Sequence, residues 1–265
     1  MYQKIREPVE NDFHEVNKFI VEQLHSEVSL VESIGHYIVE AGGKRMRPIL
    51  VLLAARGNGI ENDLHIPMAA VIEFIHTATL LHDDVVDMSE LRRGRPTVNS
   101  EWNNPSSVLV GDFIYSRAFQ VLVQIADMRI MEIIANTTNR IAEGEVLQLI
   151  EKSNPRTSEE NYMRVITNKT AILFQAAAQC GAILSKSDSE REEALRSFGM
   201  QLGLAFQLID DVLDYSGTAD ELGKNIGDDL SEGKSTLPLI YASKNGSTAQ
   251  RKVIFESLKA KKLTK

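Results

Sequence analysis

The chain has 265 residues, 43% hydrophobic and 25% charged, the balance of an ordinary folded protein rather than of a disordered tail. Its 29 Lys and Arg against 37 Asp and Glu leave a net charge of −8, which argues against nucleic acid as a partner. A single cysteine, Cys180, excludes an internal disulfide framework and a four-cysteine zinc site. The opening MYQKIREPVENDFHEVNKFI holds no apolar run fit for a signal-peptide core. No uninterrupted apolar run is long enough to span a bilayer either, so a cytoplasmic protein is expected.

Apolar residues recur at helical spacing along most of the chain, and strict alternation is scarce. Phe13, Val16, Phe19, Ile20 and Leu24 form one stripe. Leu30, Ile34, Tyr37 and Ile38 form the next, closed by Gly42-Gly43, a helix stop. Arg45 to Arg56 reads as a buried helix with Pro48 near its start, where proline is tolerated. From Pro67 to Met88 apolar residues cover nearly every face, the pattern of a central helix. Further helices are expected over 106–125, 129–150, 158–184, 189–215, 237–243 and 248–262, with loops at 93–96, 103–105, 153–155 and 216–235. With no repeat and no dividing linker, an all-α, single-domain helical bundle is expected over residues 1–265.

Two acidic clusters stand where acids are costly. His82-Asp83-Asp84-Val85-Val86-Asp87 ends the most apolar helix, and Asp210-Asp211-Val212-Leu213-Asp214 ends another; both have the form D-D-x-x-D. Residues four apart share a helical face, so Asp83 converges with Asp87 and Asp210 with Asp214. Like charges on one turn repel, and the helix C-terminus disfavours them further. A cation at each cluster relieves this, and oxygen-only ligands point to a hard ion such as Mg²⁺ bound together with substrate phosphates. One such cluster reads as a solvated acidic face; the repetition at two apolar helix ends favours metal. A di-iron carboxylate bundle would want repeated Glu-x-x-His pairs, and Glu73-x-x-His76 has no second copy.

Basic residues adjoin both clusters. Lys44, Arg45 and Arg47 open a helix, where backbone N–H groups also favour anions. Arg92, Arg93 and Arg95 follow the first cluster, Lys169-Thr170 forms a polar patch in an apolar helix, and Lys224 and Lys234 follow the second cluster. Singly, each reads as a solvated surface charge. Beside the aspartates they suit a substrate with several phosphate charges, bridged to Asp through Mg²⁺ and held by Arg and Lys. His76, Thr79, Asp83 and Asp87 share one face of the central helix, flanked by Ile75, Ala78 and Leu80. That pattern implies an amphiphilic substrate with a diphosphate head and a hydrocarbon tail.

The ordered set GGKRMRP (42–48), EFIHTATLLHDDVVD (73–87), RRGRPT (92–97), VGDFIYSRAF (110–119), AEGEVLQL (142–149), NKTAILF (168–174), FQLIDDVLDY (206–215) and GKNIGDDLSEGKSTLP (223–238) strongly resembles the trans-isoprenyl (polyprenyl) diphosphate synthases, nearest their bacterial octaprenyl-forming members. The resemblance implies the isoprenoid synthase helical bundle around a central cavity, a homodimer, and head-to-tail prenyl transfer. By it, Asp83, Asp87, Asp210 and Asp214 hold Mg²⁺ on the allylic diphosphate, with Asp84 and Asp211 supporting. Arg92, Lys169, Thr170, Gln207, Lys224 and Lys234 match the grip on that diphosphate. Lys44, Arg47, His76 and Arg93 match the isopentenyl diphosphate site, and Arg45 is the motif's less constrained position. Family chains usually continue with further helices beyond the position of Lys265, so relative to them this one is C-terminally short.

The implied chemistry is ionisation of an allylic diphosphate, attack on the cation by the double bond of isopentenyl diphosphate, and loss of a proton to the released diphosphate. Short-chain members carry bulky aromatics four and five residues before the first cluster, where this chain has Thr79 and Ala78. A deeper floor at Ile75, Leu122 and Ile134 is expected, hence a long product such as the octaprenyl side chain of ubiquinone, built on farnesyl diphosphate and passed to membrane enzymes. The alternatives are a class I terpene cyclase, which needs no second diphosphate site, and an inactive subunit of a heteromeric synthase, which would have lost aspartates that are all present here.

Overall fold

A computed structural model describes residues 2–152, 154–216 and 227–260. Helices α1 (Tyr2–Arg6), α2 (Glu10–Gln23), α3 (Ser29–Glu40), α4 (Met46–Gly57) and α5 (His65–Val86) lead into a two-residue hairpin, β1 (Leu91–Arg92) and β2 (Arg95–Pro96). Then come α6 (Val98–Glu101), α7 (Asn104–Ile125), α8 (Met128–Glu151), α9 (Glu159–Ile166), a π-helical turn (Thr167–Ala171), α10 (Ile172–Leu184) and α11 (Ser189–Ser216). The last three are α12 (Asp228–Ser231), α13 (Leu237–Asn245) and α14 (Thr248–Ala260). Each long helix lies within a few residues of its expected span, and the fold is all-α apart from the hairpin. The hairpin and the π-turn were not foreseen. The first has no alternating pattern, and the second hides inside a continuous helical periodicity.

By Cα packing the chain forms two compact units. The first comprises residues up to Thr138 together with Leu173–Gly199; the second comprises Asn139–Ile172 and Met200 onward.

In the first unit α5 is the axis. Met68 to Ile75 are buried on every face except where Glu73 meets a cavity, and α2, α4 and α7 pack around the helix. This is why its sequence shows little amphipathic contrast. Residues 173–184 of α10 are almost wholly buried, and a Cβ on Gly181 would meet the Val51 carbonyl oxygen at 2.7 Å, so glycine sets the α4–α10 spacing. Helix α7 is long and apolar enough to cross a membrane by length and composition, with 39% of its apolar window buried. Its buried stripe, Val110, Ile114, Ala118, Val121 and Leu122, belongs to the core in which α5 is its main neighbour.

In the second unit, Tyr162, Val165 and Ile166 of α9, Leu230 of α12 and Leu258 of α14 are buried. Here the apolar residues around the second acidic cluster divide unevenly. Phe206, Ile209, Val212 and Leu213 are exposed, whereas Asp211 and Asp214 are buried. The second cluster thus turns two carboxylates inward on a helix whose neighbouring apolar side chains face out.

Candidate active site

The first acidic cluster closes α5. Asp87 is its C-cap, its N–H bonding the Asp83 carbonyl at 2.8 Å, and Met88 leaves the helix in the left-handed region (φ 54°). The exposed carbonyl end is tied down from outside: Ser107 donates to the Leu81 carbonyl at 2.9 Å, and the Ser89 N–H to that of Asp84 at 2.9 Å. Asp84 is buried and takes Arg92 in a forked pair, Nε at 2.9 Å and Nη2 at 2.6 Å from Oδ1. Burial raises the Asp84 pKa, and the Arg92 hydrogen bond opposes the rise. Asp83 and Asp87 are half-buried, one turn apart. The supporting role expected of Asp84 therefore has a physical form: it anchors Arg92 while its two neighbours stay closer to solvent.

A cavity of about 70 Å³, open to solvent, lies beside this helix end. Arg45, Glu73, Asp84, Arg92 and Arg93 line its polar side, and Phe74, Leu80, Leu81 and Ile114 its apolar side. Arg93 comes from the hairpin turn with φ 54°, and its guanidinium occupies the space above Gly43, where a Cβ would meet Nη1 at 2.6 Å. Arg47 stacks over Phe174, 4.3 Å from the ring centroid, and donates from Nη1 to His76 Nε2 at 3.2 Å. Burial draws the Arg47 pKa down to about 10, with the Glu73 charge opposing, so it stays charged at neutral pH. Lys44 is exposed.

The Arg47 bond assigns the His76 tautomer: guanidinium can only donate, so Nε2 accepts and Nδ1 carries the proton. Burial, then Arg47, Arg93 and Arg92, lower the His76 pKa well below 6.5. As pH falls, the unfolded chain takes up this proton before the folded one, so stability is intact above about pH 6.5 and declines below it. Stability is therefore expected to be lower at pH 5.5 than at pH 7.5 through this group. Denaturant midpoints at the two pH values check this, with His76→Gln expected to flatten the difference.

The second cluster is built differently. Tyr162 donates to Asp211 Oδ2 at 2.6 Å, Gln207 Nε2 to Asp211 Oδ1 at 2.8 Å, and Thr170 Oγ1 to Gln207 Oε1 at 2.8 Å. Burial and the Asp211 charge push the Tyr162 pKa up, so it remains a neutral donor. Thus Thr170 and Gln207, expected at a diphosphate, form a relay that ends on the middle aspartate, the counterpart of Asp84. Asp214 is buried, with the Asp229 N–H 3.4 Å from its Oδ2, and Asp210 is half-buried.

Lys169 lies in the π-turn and meets Glu145 Oε2 at 2.7 Å. Such turns add one residue to a helical turn and re-aim side chains, frequently at functional sites. Two glycines accommodate this one: a Cβ on Gly144 would lie 2.8 Å from the Lys169 backbone nitrogen, and one on Gly203 2.5 Å from the Ala171 Cα. Gly203→Ala is expected to cost about 1–3 kcal/mol by overpacking against backbone that cannot yield cheaply. Chemical denaturation of the variant measures it.

Lys234 pairs with Glu232, and Lys224 lies outside the described residues. Ile75, Ala78, Leu122 and Ile134 are fully buried in the first unit, and Thr79, half-buried, returns its hydroxyl to the His76 carbonyl at 2.7 Å. None of these five residues lines the cavity described above, which opens on another face of α5. Among the described residues, no three His, Cys, Asp or Glu side chains gather into a ready metal cage. One or two carboxylates per site, completed by water and phosphate oxygens, is the donor set Mg²⁺ accepts. Tyr162, Glu145 and Glu73 escaped site assignment from sequence. Glu73 and Glu145 stood inside quoted motifs, whereas nothing local marks Tyr162.

The structure thus presents two aspartate-bearing helix ends, each with its middle aspartate anchored, and a cluster of guanidiniums beside the first. Residues 28–265 match the polyprenyl synthetase family, and the chain belongs to it. It is 54% identical over 252 residues to the octaprenyl diphosphate synthase of Escherichia coli K12, covering 95% of this chain and 78% of that protein. A decaprenyl diphosphate synthase from Rhodobacter capsulatus superposes with a TM-score of 0.92 at 46% identity, covering 100% of this chain and 82% of that one. A polyprenyl synthase from Caulobacter crescentus, complexed with calcium and isoprenyl diphosphate, gives 0.90 at 41% identity, covering 98% and 85%.

Proposed function

We propose that the chain is a long-chain all-trans polyprenyl diphosphate synthase, a prenyltransferase that extends farnesyl diphosphate with isopentenyl diphosphate to octaprenyl diphosphate. The observation that carries the reading is the family membership with both D-D-x-x-D helix ends intact and their middle aspartates anchored. Asp83 and Asp87, and by the same chemistry Asp210 and Asp214, would hold Mg²⁺ together with phosphate oxygens of the allylic substrate. Bound Mg²⁺ supplies Lewis acidity that stabilises charge on the departing diphosphate.

The chain's own residues do the rest. Arg92 and Lys169 are the cations that the family resemblance assigns to the allylic diphosphate, and each is pre-aligned by a carboxylate, Asp84 and Glu145. Thr170 and Gln207 keep Asp211 oriented, and Lys224 and Lys234 add charge after the second cluster. Lys44, Arg47 and Arg93 bind isopentenyl diphosphate, with neutral His76 donating from Nδ1. No side chain is assigned as base; the proton leaves to released diphosphate. The small side chains of Ala78 and Thr79, above Ile75, Leu122 and Ile134, let the product grow long. The same reading gives a cytoplasmic homodimer whose product serves the ubiquinone side chain in membrane enzymes.

A continuous assay of diphosphate release tests this. Release from farnesyl diphosphate should require isopentenyl diphosphate and Mg²⁺ and stop with EDTA. Release that ignores isopentenyl diphosphate would point to a cyclase instead.

A further inference from the structure

We propose that Glu73 is a positioning residue for the isopentenyl diphosphate site, joining Arg45 to the core and keeping it in register with Arg93 across one cavity wall; this rests on the function proposed above. Glu73 projects from the middle of α5 into the wall of the cavity that Arg45 and Arg93 also line. Arg45 Nε lies 3.9 Å from Glu73 Oε1, with the two side chains 9% and 10% exposed. The other end of Arg45 donates to Asn17 Oδ1 on α2, so Arg45 is a strut between two helices. Arg45 (φ 43°) and Arg93 (φ 54°) both hold left-handed backbone without being glycine, a conformation that persists only where the surroundings enforce it. Arg92 is paired with Asp84; burial raises the Glu73 pKa, and the charges of Arg45, Arg47 and Arg93 oppose that rise.

The sign of the effect separates positioning from simple charge. Removing a negative charge beside an anion site strengthens anion binding if charge alone matters. If Glu73 instead keeps mutually repelling guanidiniums in register, its loss weakens binding by misplacing them.

Glu73→Gln is therefore compared with wild type in two arms. In the first, isopentenyl diphosphate is titrated calorimetrically in EDTA, where the aspartate clusters cannot contribute through metal. In the second, KM for each substrate and kcat are measured with Mg²⁺. The expected result is binding weaker by about tenfold or more, the same rise in KM for isopentenyl diphosphate, and an allylic KM unchanged within about twofold. Unchanged or tighter binding overturns the proposal, as do equal losses for both substrates, which mark a merely structural role. Should Glu73→Gln fail to fold, Glu73→Asp, which keeps the charge and shortens its reach to Arg45, is expected to weaken binding where charge alone predicts no change, and unchanged binding overturns the proposal. A wild type that binds isopentenyl diphosphate in EDTA yet does not elongate overturns the function and leaves the positioning role standing. A wild type that elongates beside a variant with undiminished binding does the reverse.

Discussion

Asp83→Asn is expected to lower the elongation rate by about two to three orders of magnitude while leaving the melting transition in place. The reason lies in how the two adjacent aspartates differ. Asp84 is buried and committed to Arg92 by a forked pair at 2.6–3.0 Å, whereas Asp83 is half-buried one turn before Asp87. Substituting Asp83 removes a charge proposed to hold metal, so the loss is expected to fall on kcat. Substituting Asp84 with Asn instead unsettles Arg92 and is expected to cost about 1–3 kcal/mol of folding stability. Steady-state rates and denaturation curves on the two variants separate these roles. Equal behaviour of the pair would contradict the division of labour.

Ala78→Tyr is expected to close the product ladder at a shorter chain. Ala78 is fully buried on α5, five residues before Asp83, with Ile75, Leu122 and Ile134 equally buried in the same unit. An aromatic ring at this position fills the space proposed for the growing tail. The same ring overpacks a close-packed core, so a stability loss of about 1–3 kcal/mol should accompany the shift. Chromatography of dephosphorylated products reads the length directly. A variant that folds and yields the wild-type length would remove Ala78 from the chain-length determinants.

Much of the helical framework was legible because its signals are local. The run from Pro67 to Met88 is apolar all round, and α5 is the packed axis of its unit. The D-D-x-x-D spacing marked both acidic clusters for the same reason, since four residues make one helical turn. What the pattern did not carry was partnership at long sequence separation. Tyr162 reaches Asp211 across 49 positions, and Glu145 reaches Lys169 across 24, with no spacing rule linking them. Arg45 is the less constrained position of its basic motif, yet its side chain bridges Asn17 and Glu73, contacts invisible without the fold. The π-turn around Lys169 was hidden because one extra residue in a helical turn barely disturbs an apolar period.

The most direct test is incubation of the folded protein with Mg²⁺, farnesyl diphosphate and labelled isopentenyl diphosphate, followed by chromatography of the dephosphorylated products. The account predicts a ladder of elongated all-trans prenols that closes at the octaprenyl length and vanishes with EDTA. A folded protein that incorporates no label with any allylic primer, or that releases cyclic hydrocarbons from farnesyl diphosphate alone, would contradict it.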